Sequence, residues 1–150
     1  MWRHPALRPL SREHFTALSL TRDVRWAAAS GAAVLRDRAA LELAIAWRDS
    51  LAGHFADEET VLLGHMNEEE CSELLGQHKQ LRDLVAPMIA DLAAGQPPQV
   101  AHAEAVAEAL EAHVRWEEQT LFQGLQARLG EEKWGQIAED LGKARGGEAG

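Results

Sequence analysis

Three features of these 150 residues predict an all-α fold, an up-down-up-down four-helix bundle with a short fifth C-terminal helix. The first is composition: alanine, leucine and glutamate dominate, Val, Ile and Thr are sparse and Tyr is absent, which favours helix over sheet. The second is a set of four long stretches in which apolar residues recur at three- and four-residue spacing. The third is the shortness of the breaks between them, which makes neighbouring helices antiparallel.

Taken in order, residues 1–9 read as an N-terminal lead-in, and Ser11 is the expected N-cap of a first helix ending near Gly31. Leu10, His14, Ala17, Leu18 and Thr21 share one of its faces. A vague, alanine-rich turn precedes a second helix running to about Leu63, with Leu43, Trp47, Leu51, His54, Glu58 and Val61 inward. Gly64 to Asn67 read as a connection, with Asn67 as N-cap and Glu68, Glu69 and Glu70 set against the positive end of the third helix. That helix carries Cys71, Leu74, Leu75, His78, Leu81, Val85, Ile89 and Leu92 inward and contains Pro87, which should kink or interrupt it. Gly95-Gln96-Pro97-Pro98 end it and begin the fourth, with Pro98 near its first turn. Val106, Leu110, His113, Glu117 and Leu121 face inward on the fourth helix, which runs to about Leu129. Gly130 breaks it, and Trp134, Ile137 and Leu141 mark the fifth helix. The bundle thus spans 10–144, and 145–150 form a disordered tail.

A formal charge of −9 with scattered basic residues argues against nucleic acid or an anionic membrane surface as partner. The lone Cys71 excludes an intramolecular disulfide, and no run approaches the length of a membrane span or a signal peptide. A soluble, cytoplasmic chain is expected.

Two echoing segments carry the chemistry, His54-Phe55-Ala56-Asp57-Glu58-Glu59 and His113-Val114-Arg115-Trp116-Glu117-Glu118. On a helix, a residue four positions on lies roughly 40° around and about 6 Å along the axis, so His54 with Glu58, and His113 with Glu117, present imidazole and carboxylate side by side. Glu59 and Glu118 fall roughly 140° from their histidines and should point elsewhere, as solvated surface carboxylates or, alternatively, as outer acceptors that orient ligand imidazoles. A single pair of this kind is ordinarily a solvated salt bridge; the repetition sets these two apart.

In an antiparallel hairpin two residues are level when their midpoint falls at the turn. The midpoints of His14 and His54, of His54 and His78, and of His78 and His113 all fall in connections assigned on other grounds. Four imidazoles and two carboxylates therefore share one height in the core, where they would be costly without partners. Two metal ions bridged by Glu58 and Glu117, each taking two histidines, resolve the conflict. An all-nitrogen and oxygen set without thiolate suits iron first, then manganese or zinc. No histidine has Glu three residues before it, so the ferritin-like di-iron pattern is missing, as is His-Glu-x-x-His of zinc proteases.

His14 within Arg12-Glu13-His14, the two His-x-x-x-Glu pairs with their trailing Leu62-Leu63 and Leu121-Phe122, and His78 together resemble the hemerythrin-like HHE cation-binding domain. The resemblance implies a four-helix bundle holding a non-haem di-iron centre, with His14, His54, Glu58, His78, His113 and Glu117 as metal ligands. It implies binding or sensing of oxygen, nitric oxide or peroxide; the alternative is a di-iron enzyme that reduces nitric oxide or peroxide or donates iron for iron–sulfur cluster repair. An electron donor is left unnamed, and a homodimer is compatible with the family. Oxygen-carrying hemerythrins have His-x-x-x-His on the third helix and a carboxylate five residues after the last histidine. Here Leu74 precedes His78 and Glu117 stands at four, which places the chain nearer the four-histidine, two-glutamate branch. His65 and His102 lie eleven residues from His54 and His113, about 16 Å along the axis, too far to ligate. His4 belongs to the lead-in, Cys71 reads as a small hydrophobe, and Trp116 as packing or a pocket wall.

Overall fold

The structure, a computed structural model, describes residues 2–146, so the expected tail lies outside the described residues from 147 onward. A 3₁₀ turn at Pro5–Leu7 leads into α1 (Arg8–Ser30). The second rod is continuous but not uniform: α2 (Ala33–Ala46), a π-helical turn at Trp47–Leu51, α3 (Ala52–Asp57), a second π turn at Glu58–Leu62 and a 3₁₀ turn at Leu63–His65. The third rod is α4 (Glu68–Ala93). The fourth is α5 (Val100–Trp116), a π turn at Glu117–Leu121 and α6 (Phe122–Arg128); α7 (Glu131–Ala144) is the fifth helix. The rods close a ring in which the first packs on the second and fourth, and the third on the second and fourth. Among the described residues there is no strand, and the architecture is the expected all-α bundle with a short C-terminal helix.

The ends of the rods follow local chemistry. Asn67 accepts from the Glu70 N–H at 2.8 Å while the Glu70 carboxylate accepts from the Asn67 N–H at 2.9 Å, a reciprocal cap for α4. Gly31 and Gly95 end α1 and α4 with φ of 73° and 72°, a region that glycine alone enters freely. At the second, the Gln96 N–H reaches the Asp91 carbonyl and the Gly95 N–H the Leu92 carbonyl, the Schellman pairing.

Three local expectations are corrected. Ser11 is not the N-cap, because α1 starts at Arg8 with Pro9 in the first turn, where its missing N–H costs nothing. Pro87 does not interrupt α4, which runs 26 residues; buried Val85 and Met88 on either side hold the helix in the core. Pro98 lies outside α5, whose N-cap is Gln99.

Each rod changes character along its length. On α1 the buried sequence reads Leu10, His14, Ala17; on the second rod Leu51, His54, Glu58, Val61; on α4 Leu74, His78, Leu81; on the fourth rod Leu110, His113, Glu117, Leu121. Two apolar clusters result. One holds Leu43, Trp47, Phe55, Val85, Met88 and Leu110, the other Leu7, Leu62, Leu74, Phe122, Leu125 and Trp134. The charged residues form a layer between them. Helix α7 covers the second cluster with Trp134, Ile137 and Leu141, and the lead-in contributes Ala6 and Leu7 to it, beside Leu10 of α1. Among the described residues no helix is long and apolar enough to cross a membrane.

The reciprocal cap gives a direct test: Asn67→Ala leaves the Glu70 N–H without its acceptor and should cost about 1 kcal/mol, read as a lower urea midpoint with unchanged slope.

Candidate metal centre

All six sequence-selected residues, His14, His54, Glu58, His78, His113 and Glu117, are buried, and both glutamates are fully so. They fall into two overlapping groups whose candidate ligand atoms lie within 4.8 Å of one another: His14, His54, Glu58 and Glu117, and Glu58, His78, His113 and Glu117. Both glutamates belong to both groups. Glu58 turns Oε2 towards His54 Nε2, 3.2 Å away, and Oε1 towards His78 Nε2, 3.1 Å away, so it spans the two halves. Glu117 Oε1 lies 2.8 Å from His14 Nε2 and 3.3 Å from His113 Nε2. The His14 and His54 Nε2 atoms are 3.1 Å apart.

Every imidazole is held from outside through Nδ1. His14 donates to Glu118 at 2.6 Å, His54 to Glu13 at 2.7 Å, His78 to Glu59 at 2.6 Å and His113 to the Gln77 carbonyl oxygen at 2.7 Å. An ionised carboxylate only accepts, so the proton sits on Nδ1 and, in a neutral ring, the Nε2 lone pair faces the interior. Stacking fixes two rings further: Phe55 on His78 with centroids 4.5 Å apart, Phe122 on His14 at 5.6 Å.

Glu59 and Glu118 therefore do not point elsewhere; each faces the neighbouring rod whose histidine it holds. The backbone leading into them is ordinary α, with φ, ψ of −60°, −44° at Glu58 and −62°, −47° at Glu117, so each follows its glutamate by about 100° around the axis, onto the flank that meets the next rod. The π turns at Glu58–Leu62 and Glu117–Leu121 start at these same glutamates. Ser11, released from capping, donates to Glu118 at 2.8 Å, and Arg3 pairs with the same carboxylate. Glu13 and Gln77 were not recognised as partners from the sequence; the signal was their place immediately before His14 and His78 on the two helices that open each hairpin.

The remaining candidates lie elsewhere. His4 stacks on Trp134 at 4.4 Å and approaches Glu131, while His65 and His102 belong to neither four-residue group. The Cys71 thiol faces the Leu63 carbonyl at the bundle end.

A family model described as hemerythrin HHE cation binding domain matches residues 6–125, most of the chain. The chain belongs to the hemerythrin HHE family. Nothing among curated proteins or solved structures matches it significantly.

The residues of this HHE domain fit a metal. Glu58 Oε2, both Glu117 carboxylate oxygens and His113 Nε2 are buried without an aligned hydrogen-bond partner. Native interiors rarely tolerate four such atoms in one place. Donors about 2.1 Å from a common ion at right angles lie about 3 Å apart, the spacing of the Nε2 and carboxylate atoms here.

Without an ion, the layer balances by protonation. Burial alone would push the His54 imidazole down, but the adjacent Glu58 charge and the hydrogen bond to Glu13 raise it from 6.5 to about 9. Burial likewise opposes the charged form of His14, and Glu117, Glu118 and Glu58 overcome it to hold this ring well above its usual value. Glu58 is driven up by burial yet held well below the carboxylate range by His54, His14 and His78. Burial would raise Glu13, whereas His54 and Arg145 bring it from 4.5 to about 2. The HHE fold thus places its imidazoles where either protons or a cation neutralise the carboxylates.

These shifts set the pH behaviour of the metal-free protein. Raised His54 contributes stability that is complete below pH 6.5 and lost as pH rises through about 9; lowered Glu13 contributes stability present above pH 4.5 and lost as pH falls through about 2. Denaturant midpoints of chelator-treated protein should therefore fall from pH 6.5 to 9. With metal bound the trend should reverse, because protons compete with the ion for the same atoms.

Proposed function

We propose that this HHE protein holds two non-haem iron ions in a carboxylate-bridged centre and binds or senses a small ligand such as oxygen, nitric oxide or peroxide. In this reading His14 and His54 hold one ion, His78 and His113 the other, and Glu58 and Glu117 lie between them. The observation that carries it is the sharing of both buried glutamates by two four-residue groups, with carboxylate oxygens left unpaired.

The donors, imidazole and carboxylate only, favour iron, with manganese or zinc as substitutes; Cys71, in the first turn of α4, belongs to neither group. When bound, iron supplies reversible one-electron oxidation and open coordination positions for the ligand. The chain's own residues do the rest. Glu13, Glu59, Glu118 and Gln77 fix the ring orientations, so the Nε2 atoms are aimed before an ion arrives. Phe55 and Phe122 place apolar faces against two of the rings and keep water from them. Two nitrogen donors and two shared carboxylates leave each ion short of six ligands, which is where a small molecule enters.

Anaerobic purification, metal analysis and the oxidised absorption spectrum test this. Two irons per chain with ligand-to-metal charge-transfer bands are expected; a colourless, iron-free protein after iron loading would overturn it. Stopped-flow mixing with oxygen, nitric oxide and peroxide then separates stable adducts from turnover. Among variants, Glu58→Ala and Glu117→Ala should lose metal, whereas Glu118→Ala should retain two ions with affinity lowered about 10- to 100-fold. Loss of metal in Glu118→Ala alone would mean the wrong carboxylate is assigned.

A further inference from the structure

Three of the four outer partners of the histidines are carboxylates closed off by an arginine. Glu118 is held by Arg3, Glu59 by Arg82 at 2.9 Å, and Glu13 by a two-pronged contact from Arg145, which also binds Asp57 at 3.0 Å. The fourth, Gln77, is an amide, and it floors an open groove of about 490 Å³ between α4 and α5 whose wall includes His113 itself. Ala109 and Ala112 leave the groove wide, and Leu84 closes one side. Its charges are acidic, Glu73 and Glu108, with no Lys or Arg in the lining. Gln77 links them to the centre: its carbonyl oxygen accepts from His113 Nδ1, and its amide donates to Glu73 at 2.7 Å.

A second groove, over α1, has the opposite character. It carries Arg3, Arg8, Arg12 and Arg115, repels cations, and ends at Glu118 instead of at a candidate ligand.

Accepting the dinuclear reading above, we propose that the α4/α5 groove is the entry route for metal ions, which meet Glu73 first and pass Gln77 to fill the His78/His113 half before the other. Negative charge in a groove with apolar walls concentrates cations at its floor. A cation on Glu73 takes the oxygen that Gln77 donates to, which frees the amide to swing aside. At the other three outer partners an ion must displace an arginine, a like-charged obstacle. The Glu13 corner is the most tightly shut of these, because Arg145 there ties two rods to the end of α7.

Stopped-flow mixing of chelator-treated full-length protein with cobalt(II), followed through its visible bands, tests the route, while the end-point gives stoichiometry. Glu73→Lys should slow loading about tenfold at low salt, with the difference shrinking at high salt as charges are screened and with two ions still bound at completion. Ala109→Leu should slow loading at every salt concentration, and Arg145→Ala should not accelerate it. Glu73 is exposed, so its variant decides alone should Ala109→Leu fail to fold by circular dichroism. Wild-type rates and salt dependence in Glu73→Lys, or faster loading in Arg145→Ala, overturn the route while the two-ion end-point leaves the dinuclear reading intact. A wild-type protein that takes up no cobalt overturns both.

Discussion

Burying six ionisable side chains in one cross-section of a narrow bundle is the constraint to which the other features answer. Each of these groups forfeits hydration, and the two pairs within a rod, His54 with Glu58 and His113 with Glu117, leave the other atoms to be satisfied from neighbouring rods. The contacts that compensate must come across rods, so helix register, rotation and end positions are all fixed by one layer. Above and below it the packing is ordinary leucine, alanine and aromatic filling.

The two hairpins are related by an approximate two-fold repeat that also interlocks them. Within a hairpin, the residue preceding the first histidine, Glu13 or Gln77, holds the histidine of the second rod. Between hairpins, the residue following the shared glutamate, Glu59 or Glu118, holds the other hairpin's first histidine. Neither half can rotate without releasing a ring of its counterpart. The repeat is broken at Gln77 in place of Glu13, so the two halves of the layer are chemically unequal although nearly identical in shape.

The sequence made the fold and the inward six readable for a simple reason: apolar periodicity and level histidines need only the average pitch of a helix. His14 and His78 were isolated residues promoted by levelling alone, and both are buried in the layer. What stayed hidden depended on which rods stand side by side. Glu59 and Glu118 read mainly as surface carboxylates because an angle of roughly 140° from a rod's own histidine was equated with solvent, whereas in this closed bundle that flank meets the next rod. Glu13 and Gln77 act across a hairpin, and one-dimensional spacing says nothing of which flank meets which neighbour. Ser11 was assigned to capping by its type, while Pro9 had already set the start of the helix. Arg145, assigned to the tail, instead joins α7 to the Glu13 side of the layer.

The outer partners bear on whether such a centre can be transplanted. A designer who grafts only the His-x-x-x-Glu pairs and the two lone histidines onto four rods would reproduce the inward atoms and leave out Glu13, Glu59, Gln77 and Glu118, which stand behind the rings. The imidazoles would then be unbraced and free to flip, and a cavity drawn correctly on paper would be slack in practice.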